Sequence, residues 1–145
     1  MTALTLETLL ERAAIQSVLD RYATVLDNRD WAGLDNVFTE DASAHYEGMG
    51  HFQGRKAIVE FISSVLNQCG PTQHLLGNYR IEIDGDTATA KCYLAAIHAG
   101  IGDYVGQTQT VWGEYRDRLV KTASGWRIAH RELAGIHGEG DIGIK

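Results

Sequence analysis

Basic residues are scarce in this chain: 13 Lys and Arg stand against 19 Asp and Glu, a formal net charge of −6. Neutralising nucleic-acid phosphates takes a basic face, so no nucleic-acid partner is expected. Cysteine is scarcer still. Cys69 and Cys92 are the only two, far apart and without CxxC spacing. Two reduced thiols are the expected state, with a disulfide between them as the alternative. No apolar run approaches the ~20 residues that span a bilayer, so no membrane partner is expected. Residues 2–11, TALTLETLLE, carry two acids and no basic stretch, unlike a secretory leader, and a cytoplasmic protein is the expectation. P-loop and GxSxG patterns are missing too, which points away from a nucleotide cofactor and a serine nucleophile. The histidines show neither HxH nor HExxH spacing, so no metal is expected either.

What is present suits an ordinary globular chain. Hydrophobic residues make up 44% and charged residues 22% of 145, enough for a core without disulfides and about the size of one domain. We therefore expect a single domain over 1–145, with its core at about 8–137. In TLETLLERAAIQSVLDRYATVLDNRD the apolar positions Leu6, Leu9, Leu10, Ala13, Ala14, Val18, Leu19, Tyr22 and Leu26 recur at helical intervals. Thr5 is the expected N-cap and Asn28 the expected stop. Asp30 should cap a short second helix, WAGLDNVF, that buries Trp31, Leu34, Val37 and Phe38. A break at Thr39–Asp41 precedes a strand, ASAHYEG. A third amphipathic helix, GRKAIVEFISSVLNQ, ends at Cys69-Gly70-Pro71.

From Thr72 the period becomes two. Asp84-Gly85-Asp86 marks a hairpin between two strands, and Thr122–Ser124 joins two more. The pattern predicts an α+β fold in which helices cover one face of a long antiparallel sheet. Such a sheet twists and curves, and its concave side leaves a pocket.

RAAIQSVLDRYATVLDNRDWAGLDNVF, the glycine-rich GRKAIVEFI segment, a histidine ahead of a strand, and EYRDRLVKTASGWRIAHR together resemble the SnoaL-like branch of the nuclear-transport-factor-like superfamily, over roughly residues 8–137. The resemblance implies a cone-shaped barrel, with N-terminal helices on a highly curved antiparallel sheet around one pocket. The superfamily includes dehydratases, dehydrohalogenases, ketosteroid isomerases, polyketide cyclases, dioxygenase small subunits and non-catalytic binders, so fold alone does not choose among them. Asp27 and His74 match the Asp and His of members resembling scytalone dehydratase, bile-acid 7α-dehydratase and hexachlorocyclohexane dehydrochlorinase. Tyr22, five residues before Asp27, matches the bile-acid dehydratase pattern. Arg131, five after Trp126, matches the dehydrochlorinase pattern.

The chemistry of these residue types agrees. Elimination needs a base, a partner to orient it, and a group to stabilise the departing anion. His74 has the intrinsic range of a base near neutral pH. Asp27 is suited to hold one ring nitrogen, Tyr22 to polarise a carbonyl or leaving hydroxyl, and Arg131 to stabilise an anion. Each also has a plainer reading: a structural histidine, a turn aspartate, a core tyrosine and a strand arginine. Five helical residues turn about 500°, which sets Tyr22 and Asp27 roughly 140° apart, so both reach one cavity only if the helix end tips into it. Tyr46, Glu47 and Tyr115 are expected substrate contacts.

The expected function is a cofactor-independent lyase for a small hydrophobic cyclic molecule. An isomerase or cyclase using Tyr22 and Glu47 is the alternative, and a ligand-binding or dioxygenase small-subunit-like protein the third reading. A homo-oligomer, trimer or dimer, is expected from the broad sheet. The glycine-rich end, GIHGEGDIGIK, is either flexible or closed over the pocket.

Overall fold

The structure is a computed structural model that describes residues 2–145. Helix α1 spans Leu6–Asp27 and a 3-10 turn spans Trp31–Asn36. Strands β1 (Phe38–Tyr46) and β2 (Gly50–Gln53) come next, and then helix α2 (Arg55–Leu66). Four long strands complete the chain: β3 (Thr72–Asp84), β4 (Thr87–Ala99), β5 (Thr108–Thr122) and β6 (Gly125–Glu139). The six strands form one sheet in the order β2-β1-β6-β5-β4-β3. It curls without closing, and α1 and α2 pack on its concave side, so the expected cone-shaped α+β fold is what the chain adopts.

The pairing of β1 with β6 is parallel, whereas the other pairings are antiparallel. Alternation within a segment reports which face a residue takes but not the direction of its neighbour, so the mixed sheet was not legible in the chain. The expected break at Thr39–Asp41 lies inside β1. There the register against β6 slips between Phe38↔Ile128 and Ser43↔His130, so residues 39–42 bulge rather than end the strand. The short strand β2, between β1 and α2, was not among the expected elements.

Thr5 caps α1 as expected. Its hydroxyl accepts from the Thr8 amide at 3.1 Å, and the Thr8 hydroxyl accepts from the Thr5 amide at 2.9 Å. The buried face of α1 begins later than the apolar stripe. Leu6, Leu9 and Leu10 are exposed, and the core side chains are Ile15, Val18, Leu19, Tyr22, Ala23, Val25 and Leu26. From Glu11 onward α1 lies against the sheet, and its C-terminus reaches the start of β3. The expected second helix is a 3-10 turn whose N-cap is Asp30. Of its apolar residues Leu34 and Val37 are buried, Phe38 opens β1, and Trp31 is half-buried.

A second irregularity bends β3. Between Gly77↔Tyr93 and Arg80↔Lys91 it carries an extra residue, and Asn78 sits at φ 51°, a region that Asn tolerates. The predicted two-residue hairpin forms at Gly85-Asp86, with Gly85 at φ 60°. Among the described residues, no helix is long and apolar enough to cross a membrane.

Candidate active site

The last residue of α1 is Asp27, and its carboxylate points across to β3. Its Oδ1 accepts from the His74 ring at Nδ1 (2.7 Å) and from the Thr72 hydroxyl (2.9 Å), while Oδ2 accepts from the His74 backbone amide (2.9 Å). Burial alone would raise the Asp27 pKa. The hydrogen bonds from the His74 ring and amide, the charge of that ring and the Thr72 hydroxyl outweigh it and hold the carboxyl below its ordinary range. Asp27 is therefore ionised near neutrality, and an ionised carboxylate only accepts, so the hydrogen of His74 resides on Nδ1. In the neutral form of the ring, Nε2 carries the lone pair. The ring, 6% exposed, lines the cavity inside the sheet.

That cavity measures about 170 Å³. An apolar cavity of ~150 Å³ accommodates benzene, so the space suits a single small ring. Leu26, Ile62, Leu66, Leu94, Ala96 and Leu133 are among its apolar walls. Tyr22, Tyr46 and Tyr115 line it from α1, β1 and β5. The hydroxyls of Tyr22 and Tyr46 lie 2.9 Å apart, and the Tyr22 and Tyr115 rings meet edge to face at 5.6 Å. Burial pushes the Tyr46 and Tyr115 hydroxyls well above the ordinary phenol range, so both remain protonated hydrogen-bond donors. The 140° between Tyr22 and Asp27 resolves simply: Tyr22 faces the cavity, whereas Asp27 stands behind His74.

Two expected contacts lie elsewhere. Arg131 is fully buried but does not line the cavity. Its Nε and Nη2 donate to the two carboxylate oxygens of Asp117 at 2.7 and 2.8 Å, and its guanidinium stacks on Tyr22 and Tyr115 at 4.2 and 3.8 Å from their centroids. Arg131 does turn inward from β6, but the rings of Tyr22 and Tyr115 stand between it and the cavity. Glu47 falls just past the end of β1, where it is exposed and accepts from the Gly135 amide at 3.2 Å. An expected substrate contact is thus an outward-facing acid, because Ala42, Ala44 and Tyr46 take the inward side of β1 and alternation turns the next residue out.

Two polar groups in the cavity were not singled out from the sequence. His98 lies 5.7 Å from His74, edge to face, and its Nδ1 bonds the Gln109 carbonyl at 2.9 Å. Burial pushes the His98 pKa down, more than the Gln109 carbonyl raises it, so the ring stays neutral. The alternation Cys92, Leu94, Ala96, His98, all buried, was the signal that could have found it. Gln109 also lines the cavity, and its side chain accepts from the Ile142 amide at 3.2 Å.

The glycine-rich end is ordered. Residues up to Glu139 extend β6, Ile142 is buried, and Ile144 reaches the cavity wall. The Lys145 backbone exchanges two hydrogen bonds with the Gln68 side chain (2.8 and 2.9 Å), so the end lies across the pocket.

The sequence profile of the SnoaL-like domain matches residues 7–132. The chain belongs to the SnoaL-like family. An uncharacterised protein of Mycobacterium tuberculosis, Rv2910c, is 36% identical over 124 residues, covering 83% of this SnoaL-like chain and 82% of the relative. Among solved structures, a scytalone dehydratase-like protein from Novosphingobium aromaticivorans superposes with a TM-score of 0.85 at 24% identity, over 92% of this chain and 89% of that one. A hexachlorocyclohexane dehydrochlorinase from Novosphingobium barchaimii superposes with a TM-score of 0.82 at 19% identity, over 96% and 95%. At these identities the likeness establishes the SnoaL-like fold, and the chemistry has to be argued from the site.

Proposed function

We infer that this protein is a cofactor-independent lyase that eliminates water, or a comparable leaving group, from a small hydrophobic cyclic substrate. The observation that carries the reading is the Asp27–His74 pair, with the His74 ring lining a ring-sized apolar cavity. In the proposed step, Nε2 takes a proton from the carbon adjacent to the one bearing the leaving group. The C–H electron pair becomes the new double bond, and the C–O bond breaks with its electrons on the leaving oxygen. That oxygen collects a proton from the imidazolium or from a tyrosine hydroxyl and departs as water. Asp27 stabilises the imidazolium and fixes its ring, as the aspartate does in a Ser-His-Asp triad. The Tyr22–Tyr46 hydroxyl pair supplies donors for a substrate carbonyl, which acidifies the adjacent C–H. Tyr115 and the apolar walls shape the cavity. Arg131 contributes through the rings of Tyr22 and Tyr115 rather than by touching the anion.

An isomerase that uses a carboxylate base is less well supported. Glu47 is outside the cavity, and both oxygens of Asp27 are occupied. A homo-oligomer would form through the outer face of the sheet, where Leu75, Tyr93 and Ile136 are exposed beside Trp112.

The test is turnover of a panel of monocyclic and bicyclic β-hydroxy ketones by wild type, His74→Ala and Asp27→Asn. Loss of general-base catalysis costs about 10²–10⁴-fold, and that loss is expected in both variants while circular dichroism stays native. Near-normal rates in folded variants would remove the assignment.

A further inference from the structure

Arg29 immediately follows the cap of α1, and its backbone is unusual. Only two non-glycine residues among those described have positive φ, Arg29 at 56° and Asn78 at 51°. Asn adopts this region readily, whereas Arg does so at a steric cost. Strain of this kind persists where the surroundings over-determine it.

The helix end itself supplies part of this: the Arg29 amide donates to the Leu26 carbonyl (3.0 Å) and the Asp30 amide to the Val25 carbonyl (2.9 Å). These are the bonds of a helix terminator with its C′ residue at positive φ, and the guanidinium's acceptors add to them. Nη1 donates to the Leu26 carbonyl (2.8 Å) and to Thr72 Oγ1 (2.8 Å). Nη2 donates to the Gly70 carbonyl (2.6 Å) and approaches Cys69 Sγ at 3.8 Å. Each terminal nitrogen thus has two partners, and they come from the end of α1, the α2–β3 connection and the start of β3. A guanidinium has no lone pair to offer, so Thr72 Oγ1 must accept from it. The Thr72 hydroxyl hydrogen is then free for Asp27 Oδ1, 2.9 Å away.

We propose that Arg29 is a positioning residue of this site: by occupying the Thr72 oxygen it turns the Thr72 hydroxyl onto Asp27 and so holds the carboxylate that orients His74. The chain runs Arg29 to Thr72 to Asp27 to His74, with every hydrogen bond pointing toward the carboxylate. The inference rests on the reading of His74 and Asp27 as base and partner. The charged or titratable groups around Asp27 are Arg29 itself, His74 on β3, His98 beyond it on β4, and Cys69 behind Arg29.

The experiment is a carbon-13 NMR titration of the Asp27 carboxyl in the free protein, for wild type, Thr72→Val, Thr72→Ser and Arg29→Gly. Glycine relieves the backbone at this position, so Arg29→Gly isolates the guanidinium. Valine removes the hydroxyl at nearly constant shape, and serine restores it. Losing one donor weakens stabilisation of the carboxylate, so the midpoint should rise by about half a unit or more in Thr72→Val and Arg29→Gly. It should stay at the wild-type value in Thr72→Ser. If Arg29→Gly only lowers the melting temperature and leaves the midpoint unmoved, Arg29 is a structural staple and the proposal fails. A midpoint that moves in Arg29→Gly but not in Thr72→Val also overturns the relay. Should Arg29→Gly not fold, the contrast between valine and serine at Thr72 decides. No substrate is involved, so a wild type without elimination activity would sink the lyase reading and leave this one standing. An unmoved midpoint in an active enzyme would do the reverse.

Discussion

Replacing Asp117 with Asn is expected to destabilise the protein by about 3–5 kcal/mol, the cost of leaving one member of a buried ion pair without its partner. Both side chains of the Asp117–Arg131 pair are 0% exposed, so solvent does not screen the unpaired charge. Arg131 has no alternative acid: its Nη1 already lacks a hydrogen-bond partner in the native fold. Its remaining neighbours are the Tyr22 and Tyr115 rings, whose cation–π attraction is worth about 2 kcal/mol when desolvated and does not replace a carboxylate. Burial by itself would lower the Arg131 pKa, but the charge and hydrogen bonds of Asp117 hold it well above the ordinary value, so the native guanidinium stays charged. A domain of this size is stable by about 5–15 kcal/mol, so the loss is a large fraction of the total. Urea unfolding would show it as a lower midpoint at constant slope.

The double variant Asp117→Leu/Arg131→Met tests the same reasoning from the other side. Replacing a buried pair with apolar residues of similar volume is often neutral, and it also removes the orphaned Nη1, whose desolvation costs about 1–3 kcal/mol. The double variant should therefore be more stable than Asp117→Asn. A loss under about 1 kcal/mol in the single variant, or a double variant no better than the single, would refute this account of a dry ion pair.

Two further outcomes are expected. His98 is held neutral by burial, so its ring titrates below the ordinary histidine range. Its sign follows from linkage. As pH falls through the unfolded histidine value, the unfolded chain takes up a proton that the native ring does not, so stability falls toward acid. His98→Gln should flatten this part of the stability–pH curve between about pH 6.5 and 5, as read by urea unfolding at each pH, and an unchanged slope would count against the assignment. Ala96, 2% exposed in the cavity wall, offers a second check. Ala96→Leu should fill most of the space beside His74 and abolish binding of small ring compounds in a titration, at a stability cost of about 1–3 kcal/mol from overpacking. Undiminished binding would place the ligand elsewhere.

Much of the architecture is local information, and the chain carried it in readable form. The Thr5 cap, the Asn28 stop, the Asp30 cap, the Gly85-Asp86 hairpin and the inward sets on β4 and β6 depend on a few neighbouring residues and a fixed side-chain period. The sequence by itself therefore determined an α+β fold with a curved sheet and helices on its concave face. It also placed Asp27 beside the expected stop of a helix and His74 at the start of a strand.

Tertiary structure decided everything that depends on distance between segments. Whether Asp27 meets His74 depends on the path of α1 over β3, and the 2.7 Å contact is a property of that packing. Arg131 and Glu47 show the opposite outcome. Arg131 was read as a pocket group from its place five residues after Trp126, but spacing along a strand says nothing of what stands between a residue and the cavity, and the rings of Tyr22 and Tyr115 cover it. Glu47 follows the inward-facing Tyr46, so the alternation of β1 put it in solvent. The Arg29–Thr72 relay joins residues 43 positions apart and was invisible for the same reason. Residue identity specifies what a side chain is able to do; only the fold brings it within hydrogen-bonding reach of another.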